Sequence, residues 1–118
     1  MSAERFRAWT LDALRLASAP PAEQLEYLSR SGLAPDEIVL QIDDLALAAR
    51  ARRRDGEIGD VELSLIEQVA QQAGDLETGG VEVWSSEGLH ESELWDSLRV
   101  VAKNALNGVE REWRMDKG

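Results

Sequence analysis

The stretch PDEIVLQIDDLALAARARRR, residues 35–54, decides the fold. Pro35 followed by Asp36 and Glu37 opens a helix. Proline suits the first turn, where its missing N–H has no acceptor to lose, and acids favour the positive end of the helix dipole. Ile38, Ile42, Leu45 and Ala49 then recur on one helical face, flanked by Val39 and Ala46. Leu40 and Leu47 fall on the far side, so the helix is apolar nearly all round, which predicts a central position in a helical core. Arg50, Arg52, Arg53 and Arg54 close it at the negative end of the dipole, and Asp55-Gly56 stops it.

Upstream, Ser2 is the expected cap of a first helix whose inner face is Phe6, Trp9, Ala13, Leu16 and Ala17. Pro20-Pro21 ends that helix and opens a second, with Leu25 and Leu28 inward and Gly32 at its close. Downstream, Asp60 is the expected cap of a fourth helix over 61–77, with Leu63, Ile66, Val69, Ala70, Ala73 and Leu76 as its buried stripe. Gly79-Gly80 breaks it. Val81 to Trp84 alternates apolar and polar, but one four-residue strand has no partner, so an extended connector is expected. Ser92 then caps a last helix with Trp95, Leu98, Ala102, Ala105, Leu106, Val109 and Trp113 on one stripe. The expectation is one all-α domain over residues 1–118, a bundle of about five helices.

A chain of 118 residues holds one hydrophobic core and not two. It has no cysteine, which rules out a disulfide framework, a thiolate metal site and a cysteine nucleophile together. The charged start lacks the apolar centre of a signal peptide, and no apolar run approaches the ~20 residues that span a bilayer. A cytoplasmic protein is expected.

Little in the sequence points to catalysis. His90 is the only histidine, so neither a multi-histidine metal site nor a Ser-His-Asp arrangement with a spare base is available, and a solvated His90 is expected. Gly79-Gly80 matches no nucleotide loop, and Asp55, Glu57 and Asp60 lack the later ligands of a calcium loop. Asp43 and Asp44 stand mid-way along the third helix. Adjacent helical positions diverge by about 100°, so the two carboxylates do not converge on one atom. The structural expectation is that one takes an Arg or Trp N–H, Arg99 first, while the other faces solvent; the competing reading is acid–base work or metal binding. Neither a cofactor nor enzymatic activity is expected.

Charge is the more informative signal. The net charge is −10, yet residues 1–54 hold eight acids and eight bases, and residues 99–118 hold five bases against three acids. Residues 55–98 hold twelve acids and no Lys or Arg. A negative field repels nucleic acid and anionic lipid and attracts basic proteins. The four arginines ending the third helix read as dipole compensation and surface ion pairing rather than a nucleic-acid patch. Of the four tryptophans, Trp9, Trp95 and Trp113 lie on helix stripes and are expected in the core. Trp84 stands among acids and is either a binding hot spot or a plug at the end of the bundle. The expected contact residues for a basic partner are Glu57, Asp60, Glu67, Asp75, Glu77, Glu82, Trp84 and Glu87.

The segment Gly32 to Asp44, with Trp84 and the later Leu94-Trp95-Asp96-Ser97-Leu98-Arg99, resembles small acidic helical immunity proteins of bacterial toxin–immunity loci. The resemblance covers roughly a third of the chain. It implies an inhibitor that covers the active site or substrate surface of a cognate toxin, with an acidic surface suited to a basic nuclease. The expected partner is therefore a basic toxin domain, with no nucleic acid or membrane, and the chain itself a monomer or weak homodimer. The competing class is a regulatory adaptor or self-associating helical module, for which Leu40 and Leu47 would form the interface.

Overall fold

Six α-helices and two 3₁₀ turns make up the computed structural model, which describes residues 2–116. In order they are α1 (Ala3–Ser18), α2 (Pro21–Ser31), α3 (Asp36–Arg54), α4 (Asp60–Gly74), the turns Asp75–Gly79 and Val81–Trp84, α5 (Ser86–Glu91) and α6 (Glu93–Asp116). The fold is all-α, with no strand among the described residues. Lys117, counted above in the positive C-terminal stretch, lies outside the described residues.

Several expected boundaries hold for the reasons given. Ser2 caps α1 by accepting from the Arg5 N–H at 3.1 Å. α2 starts on Pro21 and ends at Gly32, whose N–H meets the Leu28 and Ser29 carbonyls. The fourth helix differs. It runs Asp60–Gly74 and tightens into a 3₁₀ turn before Gly80. Its cap is Gly59, not Asp60: the Gly59 carbonyl accepts from the Leu63 N–H at 3.3 Å, and the Glu62 carboxylate reaches back to accept from the Gly59 N–H at 3.1 Å. The connector at residues 81–84 is a 3₁₀ turn rather than extended chain.

The centre of the bundle is α6 rather than α3. α6 packs against α1, α4, α5 and the first 3₁₀ turn. Trp95, Leu98, Ala102, Ala105, Leu106, Val109 and Trp113 are all buried along its inner stripe, as their spacing predicts. α3 packs on α4 and α1 only along its Ile38–Ile42–Leu45–Ala49 face. Leu40 and Leu47, 50% and 63% exposed, leave its other face open to solvent. Their periodicity is helical, but no element covers that side.

Two buried polar ties fix the elements around the core. Gln24 donates to the Leu16 and Ala17 carbonyls at 2.9 and 3.1 Å, satisfying the C-terminus of α1, and accepts from Arg99 at 3.2 Å. Arg99 also donates to the Leu89 carbonyl at 2.7 Å, which ties α5 to α6. At the other end of α6, Trp113 donates its indole N–H to buried Glu62 at 3.3 Å. No described helix is long and apolar enough to cross a membrane.

Candidate partner-binding face

The acids of residues 55–98 divide into two sets once the chain is folded. α3 and α4 pack together with Arg53 and Asp60 joined at one end by a 2.6 Å ion pair. Around that end three of the four arginines of the run are matched: Arg52 pairs with Glu57, Arg53 with Asp60, and Arg50 with Glu67 at 3.6 Å. The run therefore acts through surface ion pairs, as its position predicted. Three of the expected contact residues, Glu57, Asp60 and Glu67, are thus engaged inside the molecule. Arg53, through its hydrogen bond and then its charge, holds the Asp60 carboxyl below the usual carboxylate range.

The second set has no such partner. Asp75, Glu77, Glu82 and Glu87 are all exposed and, among the described residues, make no ion pair with Arg or Lys. Asp43 and Asp44 are exposed on the open face of α3. This corrects the expectation that one of them meets Arg99, which is taken up by Gln24, Leu89 and, at 3.4 Å, Asp96. Partial burial, then the charges of Asp44 and Glu77, push the Asp43 carboxyl above the usual range, against a smaller opposite pull from Arg50. Negative charge is therefore crowded at this end.

Trp84 lines one groove with two of these acids, Asp43 and Glu77. It is half-buried, with its ring perpendicular to that of Trp95 at 6.3 Å between centroids. Trp95 is fully buried and donates its indole N–H to the Val83 carbonyl at 2.8 Å, so the 3₁₀ turn carrying Trp84 is fixed to α6. Gly80, at φ +75°, makes the reversal that separates the two turns, a conformation glycine adopts without strain. Ser85 caps α5 by accepting from the Gly88 N–H at 2.9 Å, and Gly88 is needed there because a Cβ would run into the Glu82 and Val83 carbonyls. Trp84 is in this way both a partial plug and an available aromatic surface. Trp9, expected in the core, is also only half-buried, edge-on to Phe6.

A groove of about 460 Å³ runs between α3 and these turns, lined by Ala34, Asp36, Val39, Leu40, Asp43, Glu77 and Trp84. A hollow of about 600 Å³ continues it between α3 and α4, through Asp43 to Arg50, Asp60 and Glu67. Of the expected contact residues, the structure brings Glu77 and Trp84 together here. Asp36, Leu40 and Asp43 join them, and the sequence could not group these with Glu77 because only the fold sets α3 and the turns on two sides of one groove. The spacing of Leu40 and Asp43, three apart on one helical face, was its only visible trace. His90 is exposed at the end of α5. Among the described residues no three or more His, Cys, Asp or Glu side chains are grouped to hold a metal. Comparison with known proteins gives no significant match to any protein family, characterised protein or solved structure.

Proposed function

We propose that the chain is an inhibitory binding protein of the bacterial cytoplasm, most concretely an immunity protein that neutralises a basic toxin domain, with no catalytic activity of its own. The observation that supports this reading is the crowding of Asp36, Asp43 and Glu77 beside Trp84, in the groove beyond the matched arginines, where no base is among the described lining residues. Uncompensated negative charge on a rigid scaffold accelerates encounter with a basic partner, up to ~10⁸–10⁹ M⁻¹s⁻¹ at low salt. A half-buried aromatic held by its neighbours slows dissociation, because little conformational freedom is lost when it is covered.

The test begins with the neighbouring gene, which on this reading encodes a secreted protein ending in a toxin domain. Co-expression should abolish that domain's toxicity, and the purified pair should bind at nanomolar affinity that weakens as salt rises. Undiminished toxicity, or no complex with that domain, overturns the proposal. The exposed Leu40 and Leu47 favour a second reading, self-association through α3. A two-fold pairing of that face would set Asp43 and Asp44 against their copies, and like charges so placed oppose the contact. Sedimentation decides: a stable homodimer at micromolar concentration selects the second reading.

A further inference from the structure

The trough beside α3 runs from Asp36 to Arg50, about 21 Å at a helical rise of ~1.5 Å per residue, a span that some six residues of extended chain cover. Its halves differ in what they lack. In the half toward α4, Arg50 already faces Glu67 and Asp60 already holds Arg53. In the half toward Trp84, the floor is aliphatic and aromatic, the walls are carboxylates, and no base is among the described residues that line it. We infer that this half-groove seats an arginine side chain from an exposed segment of a protein partner, its stem on Val39 and Leu40 and its guanidinium between Asp43, Glu77 and Trp84.

Arginine fits on three counts. Its methylene stem covers apolar surface, its planar fork meets carboxylates with two parallel hydrogen bonds, and it stacks on an indole. Lysine offers a strongly hydrated point charge and no plane. A divalent metal ion fits less well, since the three carboxylates that line the groove, Asp36, Asp43 and Glu77, are spread around an apolar floor, and no group of three or more ligating side chains placed to hold a metal is present among the described residues. The crowding that opposes the charge of Asp43 is relieved when a cation arrives. The inference rests on the proposed function only in taking the occupant to be a protein.

The experiment is a ¹⁵N NMR titration of the full chain with the capped hexapeptide Gly-Ser-Arg-Arg-Ser-Gly, its lysine counterpart serving as comparison. The Trp84 indole signal, identified by its loss in Trp84→Phe, should move with the amides of Leu40, Asp43 and Glu77, while the Trp9 and Trp113 indoles stay still. The arginine peptide should bind about 3-fold tighter than the lysine one. Asp43→Asn with Glu77→Gln, isosteric at exposed positions and so compatible with the fold, should weaken binding about 10-fold. Asp75→Asn with Glu87→Gln makes the same charge change outside the groove and should cost less than about 2-fold. Equal losses in the two double variants would show diffuse attraction and overturn the inference. So would a still Trp84 signal, or a homodimer that the groove variants abolish. Full toxin inhibition by the groove variants overturns the groove and leaves the proposed function standing. Peptide binding without toxin inhibition does the reverse.

Discussion

The two ends of α3 carry similar densities of charge in opposite circumstances. At the C-terminal end Arg50, Arg52 and Arg53 face Glu67, Glu57 and Asp60, and the charges cancel locally. In the N-terminal half Asp36 and Asp43 share a groove with Glu77 and Trp84, with no base among its described lining residues. The difference teaches that charge counted along a chain is not charge on a surface. Residues 1–54 are neutral and residues 55–98 are not, but packing α4 on α3 lays the bases of the first on acids of the second. What remains uncompensated lies toward the other end, around an aromatic side chain.

The largest expected effect tests whether the Trp84 end is held independently of the arginine end. Trp95→Phe removes the N–H that meets the Val83 carbonyl at 2.8 Å and vacates volume at a fully buried site. It should lower unfolding stability by about 2–3 kcal/mol in urea titrations. Hydrogen exchange should then rise at residues 81–84 while the amides around Arg52 and Glu57 keep their protection. A uniform rise would show that the two ends are not separately held.

A smaller effect belongs to the matched end. Glu67→Gln breaks the half-exposed pair with Arg50 and should cost at most ~1 kcal/mol, the loss shrinking as salt rises. The smallest effects differ in sign, which makes them the sharpest comparison. Asp60 has a depressed pKa, so its contribution to stability is present above the ordinary value of 3.8 and is lost as pH falls through the depressed one. Asp43 has a raised pKa, so its ionised form opposes folding at neutral pH, and that opposition fades as pH falls toward 3.8. Asp43→Asn should therefore stabilise the chain at neutral pH by on the order of a few tenths of a kcal/mol. Asp60→Asn should destabilise it there. Melting curves from about pH 2 to 7 should show both differences shrink in acid, that of Asp43 at the higher pH and that of Asp60 at the lower. The same sign for both would erase the contrast between the two ends.

Much of the fold could be read from residue spacing because helices are local. The caps at Ser2 and Gly32, the proline at the start of α2 and the full α6 stripe follow from contacts within a few residues. The misreadings concern neighbours. α3 looked central because Leu40 and Leu47 made it apolar all round, but whether another helix covers them is decided elsewhere in the chain. Asp60 looked like a cap, but the helix is capped one residue earlier by Gly59, whose N–H is met by the Glu62 carboxylate that Trp113 also holds. The candidate site was legible only in part: Trp84 and Glu77 could be singled out, whereas Asp43 looked destined for Arg99.

The sequence by itself determined that this protein is helical, where five of the six described helices begin and end to within a few residues (the short α5 went unread), and that its excess charge is negative and confined to one segment. Those properties depend on short-range hydrogen bonding, on the helical period and on composition. Only the tertiary structure decided which acids are neutralised and which remain, because an ion pair depends on distance across the fold and not on order along the chain. The pairing of α3 with α4 takes Glu57, Asp60 and Glu67 into internal ion pairs and leaves Asp43 and Glu77 beside Trp84.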